Sequence, residues 1–183
     1  KKSITKIENE LLNSENNVIE LAMDVIKSKI TASKLDELGI KEIIGTGSSK
    51  HTYSPRNRRH NIRTGAAAIN GLLIKPDEEF SLISALGNID KEGGYLTELV
   101  IKDNKTIPEY GGGLCQIGTT LFRTVYNSGL PVTLRRNHSY RVSYYEPAGT
   151  DATIYDPWPD FRFVNDTGNH ILIQTYVDDE NDD

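Results

Sequence analysis

The apolar positions of this chain follow helical spacing through its first two thirds and fall into short, strand-like runs in its last third. Ile4, Ile7, Leu11 and Leu12 share one face of a helix over residues 3–13, with Ser3 as its N-cap. Residues 13–17 break the pattern, residues 18–25 read as a strand, and a helical turn over 33–38 ends at Gly39. Residues 41–53 read as extended, with a Gly-Ser interruption. Ile62, Ala66, Ile69 and Leu73 fit an alanine-rich helix over 61–73 that closes near Gly71. A short strand or turn at 80–83, a loop at 90–94, a strand at 99–101 and a turn at Asn104 follow. Three glycines at 111–113 then lead into a helix whose Leu114, Ile117, Leu121, Phe122 and Val125 form one apolar face. Asn127-Ser128-Gly129 ends it, and Pro131 follows.

The remainder predicts strands at 132–134, 140–145, 152–155, 161–164 and 170–177. Pro147-Ala148-Gly149 is a turn, and Asn165-Asp166-Thr167-Gly168-Asn169 reads as a hairpin turn between the last two strands. Helices early and strands late predict an α+β domain, with the helix after the glycines packed on a mainly antiparallel sheet. The expected division is an appendage over residues 1–40, a main domain over 41–177 and an acidic tail over 178–183. The appendage reads as the end of a preceding domain.

At 183 residues, 37% hydrophobic and 26% charged, the chain is long enough to bury a core. It opens on Lys1-Lys2-Ser3 without an initiator Met and reads as a piece of a longer protein. No run approaches the roughly 18–20 apolar residues of a membrane span, and the start lacks a signal-peptide core. The net charge of −5 misleads, because five acids stand in the last six residues and that tail reads as solvated and disordered. Setting those five aside leaves 21 acidic against 21 basic residues, so a nucleic-acid footprint is missing.

The chemistry turns on the single cysteine. One cysteine forms no internal disulfide and no multi-cysteine zinc site. Cys115 stands where the glycine loop enters a helix, beside N–H groups without intrahelical partners and at the positive end of the macrodipole. A thiolate is stabilised there, and the same N–H groups can hold an oxyanion. The bland alternative is a small buried hydrophobe, but Cys115 falls outside the 114–117–121 stripe.

A thiol nucleophile needs a base. His138, in Arg135-Arg136-Asn137-His138-Ser139-Tyr140-Arg141, sits among polar neighbours where a loop meets a strand and is the first choice. His60, set among arginines, is the second, while His51 and His170 read as loop and strand-surface residues. Asp151, Asn137 or Asp156 can orient the imidazole, with Asp151 preferred because it starts a strand after a turn. Two basic clusters, Arg56/Arg58/Arg59/Arg63 and Arg135/Arg136/Arg141, suit carboxylate recognition or plain solvation. Tyr140, Tyr144, Tyr145 and Trp158 line a groove or simply pack.

Several segments together resemble the VanW family, named for its association with bacterial vancomycin-resistance clusters. They are Arg59-His60-Asn61-Ile62, Ile69-Asn70-Gly71, Pro76-Asp77-Glu78-Glu79-Phe80-Ser81, Gly94-Tyr95 and above all Gly111-Gly112-Gly113-Leu114-Cys115-Gln116. Thr119-Thr120-Leu121, His138-Ser139-Tyr140, Asp151-Ala152-Thr153 and Asn165-Asp166-Thr167-Gly168 complete the set, which spans residues 45–175. Asp77 where the family usually has glycine, and Ile117-Gly118 in place of Val-Ser, are departures away from the proposed nucleophile and base. Residues 1–40 look similar to the end of the peptidoglycan-binding module that often precedes this domain.

The resemblance implies cysteine-dependent L,D-transpeptidation of peptidoglycan stem peptides, outside the cytoplasm and without a cofactor or metal. Cys115, His138 and Asp151 would be catalytic, with Gly112, Gly113 and Gln116 around the oxyanion. Arg59, Asn61, Arg136, Ser139, Tyr140 and Arg141 would contact substrate. Two rivals remain. One is a hydrolase sharing the thioester, and the other is a wall-binding module without catalysis.

Overall fold

The computed structural model describes residues 36–102 and 105–178. The helix expected over 3–13, the strand over 18–25 and most of the acidic tail lie outside the described residues. Of the helical turn expected over 33–38, residues 36–38 form a 3-10 turn that ends at Gly39 with φ +72°.

The architecture is α+β, as the sequence predicts. Helix α1 (Arg56–Ile69) leads to β1 (Leu73–Ile74), β2 (Glu79–Ser81) and the short α2 (Leu82–Leu86). The hairpin β3 (Thr97–Lys102) and β4 (Lys105–Tyr110) precedes α3 (Cys115–Ser128). Strands β5 (Val132–Leu134), β6 (Arg162–Val164) and β7 (Ile171–Leu172) complete the chain. All pairings are antiparallel and form three small sheets, β2-β6-β5, β1-β7 and β3-β4.

Several expectations need correction. The basic run at 56–59 is the opening of α1, which begins straight after Pro55 and ends at Ile69, so Leu73 belongs to β1. Proline suits a helix start because it has no N–H to satisfy there. Ser81 starts a helix that was not foreseen, its hydroxyl accepting the Ser84 N–H at 3.2 Å. Strand β4 was also missed, because Pro108 interrupts its apolar run. Residues 140–145 form no strand and instead end in a 3-10 turn, Ser143–Tyr145. Residues 152–155 are extended without a strand ladder.

The turn at 165–169 does not close a hairpin, since β6 and β7 belong to different sheets. Asn165 explains why. Its side chain is 0% exposed and donates to the carbonyls of Ile74, Lys75 and Asn169, at 3.0, 3.0 and 2.7 Å. Its Oδ1 accepts from Thr167 N and Oγ1. These bonds tie the turn to the end of β1. Asn165→Ala leaves several inward-facing polar groups unpaired and is expected to cost about 3 kcal/mol, readable as a shift in urea midpoint.

The core forms where α1 and α3 meet the β2-β6-β5 sheet. Ile62, Ala66 and Ile69 of α1 join Leu114, just before α3, and Ile117, Leu121 and Val125 of α3 in one buried cluster. Phe122 meets Phe161 edge-on at 5.8 Å, and Phe80 packs against Phe163 at 5.1 Å. A Cβ on Gly65 would come within 2.6 Å of Leu114 Cδ2, so the missing side chain lets α1 lie close to the start of α3. Along α3, Arg123 donates to the Ser48 carbonyl at 2.8 Å and Asn127 to that of Thr46 at 2.8 Å. The extended segment 45–50 is thereby strapped along the helix. Helix α3 is fixed from several sides, and its first residue is Cys115.

Candidate active site

Cys115 occupies the first turn of α3 because residues 111–113 turn the chain sharply out of β4. Leu114 N donates to the Gly111 carbonyl at 3.0 Å, and Gln116 N to that of Gly113 at 2.9 Å. Gly113 has φ +113°, and a Cβ there would stand 2.8 Å from Arg58 Cγ, so only glycine fits. The Cys115 side chain is half-buried, outside the apolar stripe of α3. Its sulfur lies 3.5 Å from Thr153 Oγ1 and 3.5 Å from the Ile154 carbonyl, and the His138 imidazole is close enough to act on it electrostatically.

His138 is held in turn by Asp151. One carboxylate oxygen, Oδ2, accepts both the His138 backbone N–H at 2.8 Å and Nδ1 at 2.5 Å. With Nδ1 bound to the carboxylate, Nε2 is the ring nitrogen left to face the thiol. Asp151 is braced from behind by Arg135, whose Nε donates to the Asp151 carbonyl at 2.8 Å. Tyr145 covers the imidazole, its ring stacked at 5.1 Å and 28°.

The electrostatics follow this chain of contacts. Burial pushes the Cys115 thiol up, but the hydrogen bond and charge of His138, aided by Thr153, outweigh it and leave the thiol below its ordinary value. Burial works against a charged imidazole, yet the hydrogen bonds and charges of Cys115 and Asp151 raise His138. Asp151 is lowered, because the His138 backbone and side-chain donors overcome its partial burial. All three shifts run in the direction that favours passing the thiol proton to the imidazole beside a carboxylate. This arrangement can deliver a sulfur nucleophile and return a proton to a leaving group.

The trio opens on a cleft of about 950 Å³. Residues of the β3–β4 hairpin form one wall, among them Leu99 and Glu109, and the segment 153–159 lines another. Across its mouth the Tyr155 hydroxyl donates to Glu109 Oε2 at 2.5 Å. Arg58 and Arg136 give the cleft its positive groups. Among the described residues no group of three or more His, Cys, Asp or Glu is placed to hold a metal ion, and no helix is long and apolar enough to cross a membrane.

A glycine loop, a thiol and an imidazole at one cleft, with a carboxylate on the far nitrogen of the imidazole, make a pattern that can be compared with known families. The family model described as VanW like protein matches residues 57–182. The chain belongs to the VanW family. It is 37% identical over 121 residues to the uncharacterized protein YoaR of Bacillus subtilis, covering 66% of this chain and 40% of that protein. It is 34% identical over 129 residues to the vancomycin B-type resistance protein VanW of Enterococcus faecalis, covering 68% of this chain and 46% of that protein. The chain thus spans less than half the length of either relative. No solved structure matches it.

Within this VanW domain the expected substrate contacts divide. Arg136 and Ser139 line the cleft with Cys115 and His138. Arg59, Tyr140 and Arg141 are not among its lining: Arg59 Nε donates to the Ser54 carbonyl, Tyr140 is 46% exposed, and Arg141 pairs with Glu146. Asn61 is 0% exposed, donating to the carbonyls of Leu96 and Gly112 and accepting the Leu96 N–H. Its role is to anchor the glycine loop, and it cannot touch a ligand.

Of the loop residues, Gly113 lines the cleft and Gly112 lies behind it, under Asn61. Gln116 points away as well, its amide held by Ser49 and the Lys50 carbonyl and its oxygen by Arg58. Its backbone N–H is engaged by Gly113, which leaves it unsuited as an oxyanion donor. Among the histidines set aside, His60 Nε2 lies 2.8 Å from the Gly94 carbonyl, and His51 is a buried loop residue at 3% exposure.

Arg58 is the basic residue that the expected set of contacts omits. It lies one helical turn before Ile62, on the inward face of α1, and reaches the cleft. The i, i+4 step to a core isoleucine is the available signal, hidden because the expected helix begins only at residue 61. Its position makes it the arginine of its cluster best placed to meet a ligand.

Proposed function

We propose that this domain catalyses cysteine-dependent acyl transfer on peptidoglycan stem peptides, as an L,D-transpeptidase working through a thioester. The observation that carries the reading is the continuous line Asp151–His138–Cys115 opening on a cleft. Family membership and the name of its Enterococcus relative supply the wall-peptide context. Such a substrate belongs outside the cytoplasmic membrane, and the domain would work there.

In this reading His138 Nε2 takes the Cys115 proton, and the thiolate attacks the carbonyl at the L-centre of diaminopimelate in a tetrapeptide stem. The tetrahedral oxyanion is met by the Cys115 backbone N–H, which as the first of α3 lies outside the intrahelical ladder. Collapse breaks the C–N bond, His138 protonates the departing D-alanine amine, and a thioester remains. The side-chain amine of a second stem attacks the thioester, giving its proton to His138 and restoring the thiol. Arg136 is suited to hold a stem carboxylate.

Chromatography of tetrapeptide stems incubated with the domain tests this reading. A cross-linked dimer and free D-alanine in equal amounts are expected. Tripeptide and D-alanine without dimer would make the domain a hydrolase. Unchanged tetrapeptide, with the stems retained on the protein, would make it a binding module.

A further inference from the structure

Tyr145 is 4% exposed, yet it belongs to the lining of the same cleft as Cys115. Its ring lies flat on the His138 imidazole, and its hydroxyl oxygen accepts a hydrogen bond from Arg58 at 3.4 Å. Because Arg58 is a donor only, the phenol proton must go elsewhere. Among the described residues no protein group accepts it. A buried donor without an acceptor costs roughly 1–3 kcal/mol, and folded proteins seldom keep one without a use.

Arg58 is itself fixed. Its second terminal nitrogen donates to Gln116 Oε1 at 2.8 Å, the first bonds Ser54 Oγ, and the guanidinium lies over the Tyr144 ring at 5.2 Å. The phenol is thus pinned at its ring by His138 and at its oxygen by Arg58, with its proton left to the cleft.

We propose that Tyr145 is a further catalytic residue, its hydroxyl donating to the acyl oxygen of the substrate as negative charge develops there. The inference rests on the acyl-transfer reading and adds a side-chain donor to the backbone one, the Cys115 N–H. Attack by sulfur forms the C–S bond and moves the carbonyl π pair onto oxygen, where the Tyr145 O–H hydrogen bond shortens without proton transfer. Collapse returns that pair to the carbonyl and breaks the C–N bond, with the proton for the amine coming from His138. Burial, and the nearby Cys115 when charged, raise the phenol well above its ordinary value, so it stays protonated as a donor must. Arg58 acts as a positioning residue.

The test compares two reactions of the same thiol. Acylation by a disaccharide-tetrapeptide passes through an oxyanion, whereas alkylation by iodoacetamide needs the thiolate alone. Tyr145→Phe keeps the ring on His138 and removes only the hydroxyl. Acylation is expected to slow by about 10²–10³-fold, with alkylation at pH 7 within about threefold of wild type. Arg58→Met is expected to slow acylation less, and to add little in the Tyr145→Phe background, since both act through one hydroxyl. Acylation by Tyr145→Phe within threefold of wild type, or an equal loss in alkylation, overturns the donor role. Full additivity of the two substitutions overturns the positioning role of Arg58. Wild-type protein that alkylates normally yet never acylates overturns the acyl-transfer reading, and this inference with it.

Discussion

Replacing His138 with alanine is expected to slow acylation of Cys115 by about 10³-fold and to move its alkylation profile to higher pH. The direction follows from the opposing influences on the thiol. Burial raises it, and the hydrogen bond and charge of His138 are the main influences bringing it below its ordinary value. Without the imidazole, burial remains and the thiol rises. At neutral pH the wild-type protein then carries more thiolate than the variant. Iodoacetamide reaction followed from pH 5 to 10 measures the change directly. The wild-type rate begins to climb below the ordinary cysteine range of about 8.5, and the variant climbs above it. The acylation loss exceeds the alkylation loss at the same pH, because the imidazole also protonates the leaving amine. Equal losses in both reactions would leave His138 no part in the departure of D-alanine.

Asp151→Asn is the second large effect, about 10³-fold in acylation with little change in stability. The amide has the shape of the carboxylate, and the Arg135 bond to the Asp151 carbonyl runs to the backbone and survives. What changes is the partner of His138 Nδ1. A carboxylate oxygen only accepts, which holds the proton on Nδ1 and leaves Nε2 free to take the thiol proton. An amide that keeps its oxygen on the His138 backbone N–H holds the tautomer but brings no charge, and one turned nitrogen-first toward Nδ1 loses that bond and selects the opposite tautomer, with Nε2 already protonated. Loss of the negative charge also lowers His138, since Asp151 is one of the groups that raise it. Thermal melts of the two proteins should superimpose within a few degrees while their acylation rates separate. A variant as active as wild type would reduce Asp151 to a structural tether.

How far the sequence could be read depended on whether the signal was local. Helix α3 carries a full apolar stripe, a glycine entry and a glycine exit, so Cys115 could be set at its start from spacing alone. The partner of His138 could not be chosen that way. Asp151 reaches it across residues 139–150, an irregular loop containing a 3-10 turn, and no periodicity links the two positions. Asn137 is one of the alternatives the sequence leaves open. In the fold its amide bonds the neighbouring His138 carbonyl instead. Asp156 lines the cleft, but it is Asp151 that meets the imidazole.

The arginines show the same limit. Arg58 and Arg59 are adjacent in sequence and equal in composition, yet only Arg58 falls on the inward face of α1. Telling them apart requires the helix to begin at Arg56, and the charged run masked that start. Residues 140–145 failed for another reason. Their tyrosines favour strands by propensity, but Tyr145 packs against His138 and its neighbour Tyr144 while the Ser143–Tyr145 turn sets the backbone. Tertiary packing decided the conformation there. Asn61, expected to contact substrate, and Asn165, expected in a hairpin turn, are each buried because their amides satisfy backbone groups of neighbouring segments.

The most direct measurement is intact-protein mass spectrometry after mixing the domain with a disaccharide-tetrapeptide, alongside Cys115→Ala. The account predicts a wild-type adduct equal to the donor less D-alanine, released by hydroxylamine as a thioester should be, and absent from the variant. An unmodified wild-type mass throughout, with Cys115 alkylating at the rate of an ordinary thiol, would contradict it.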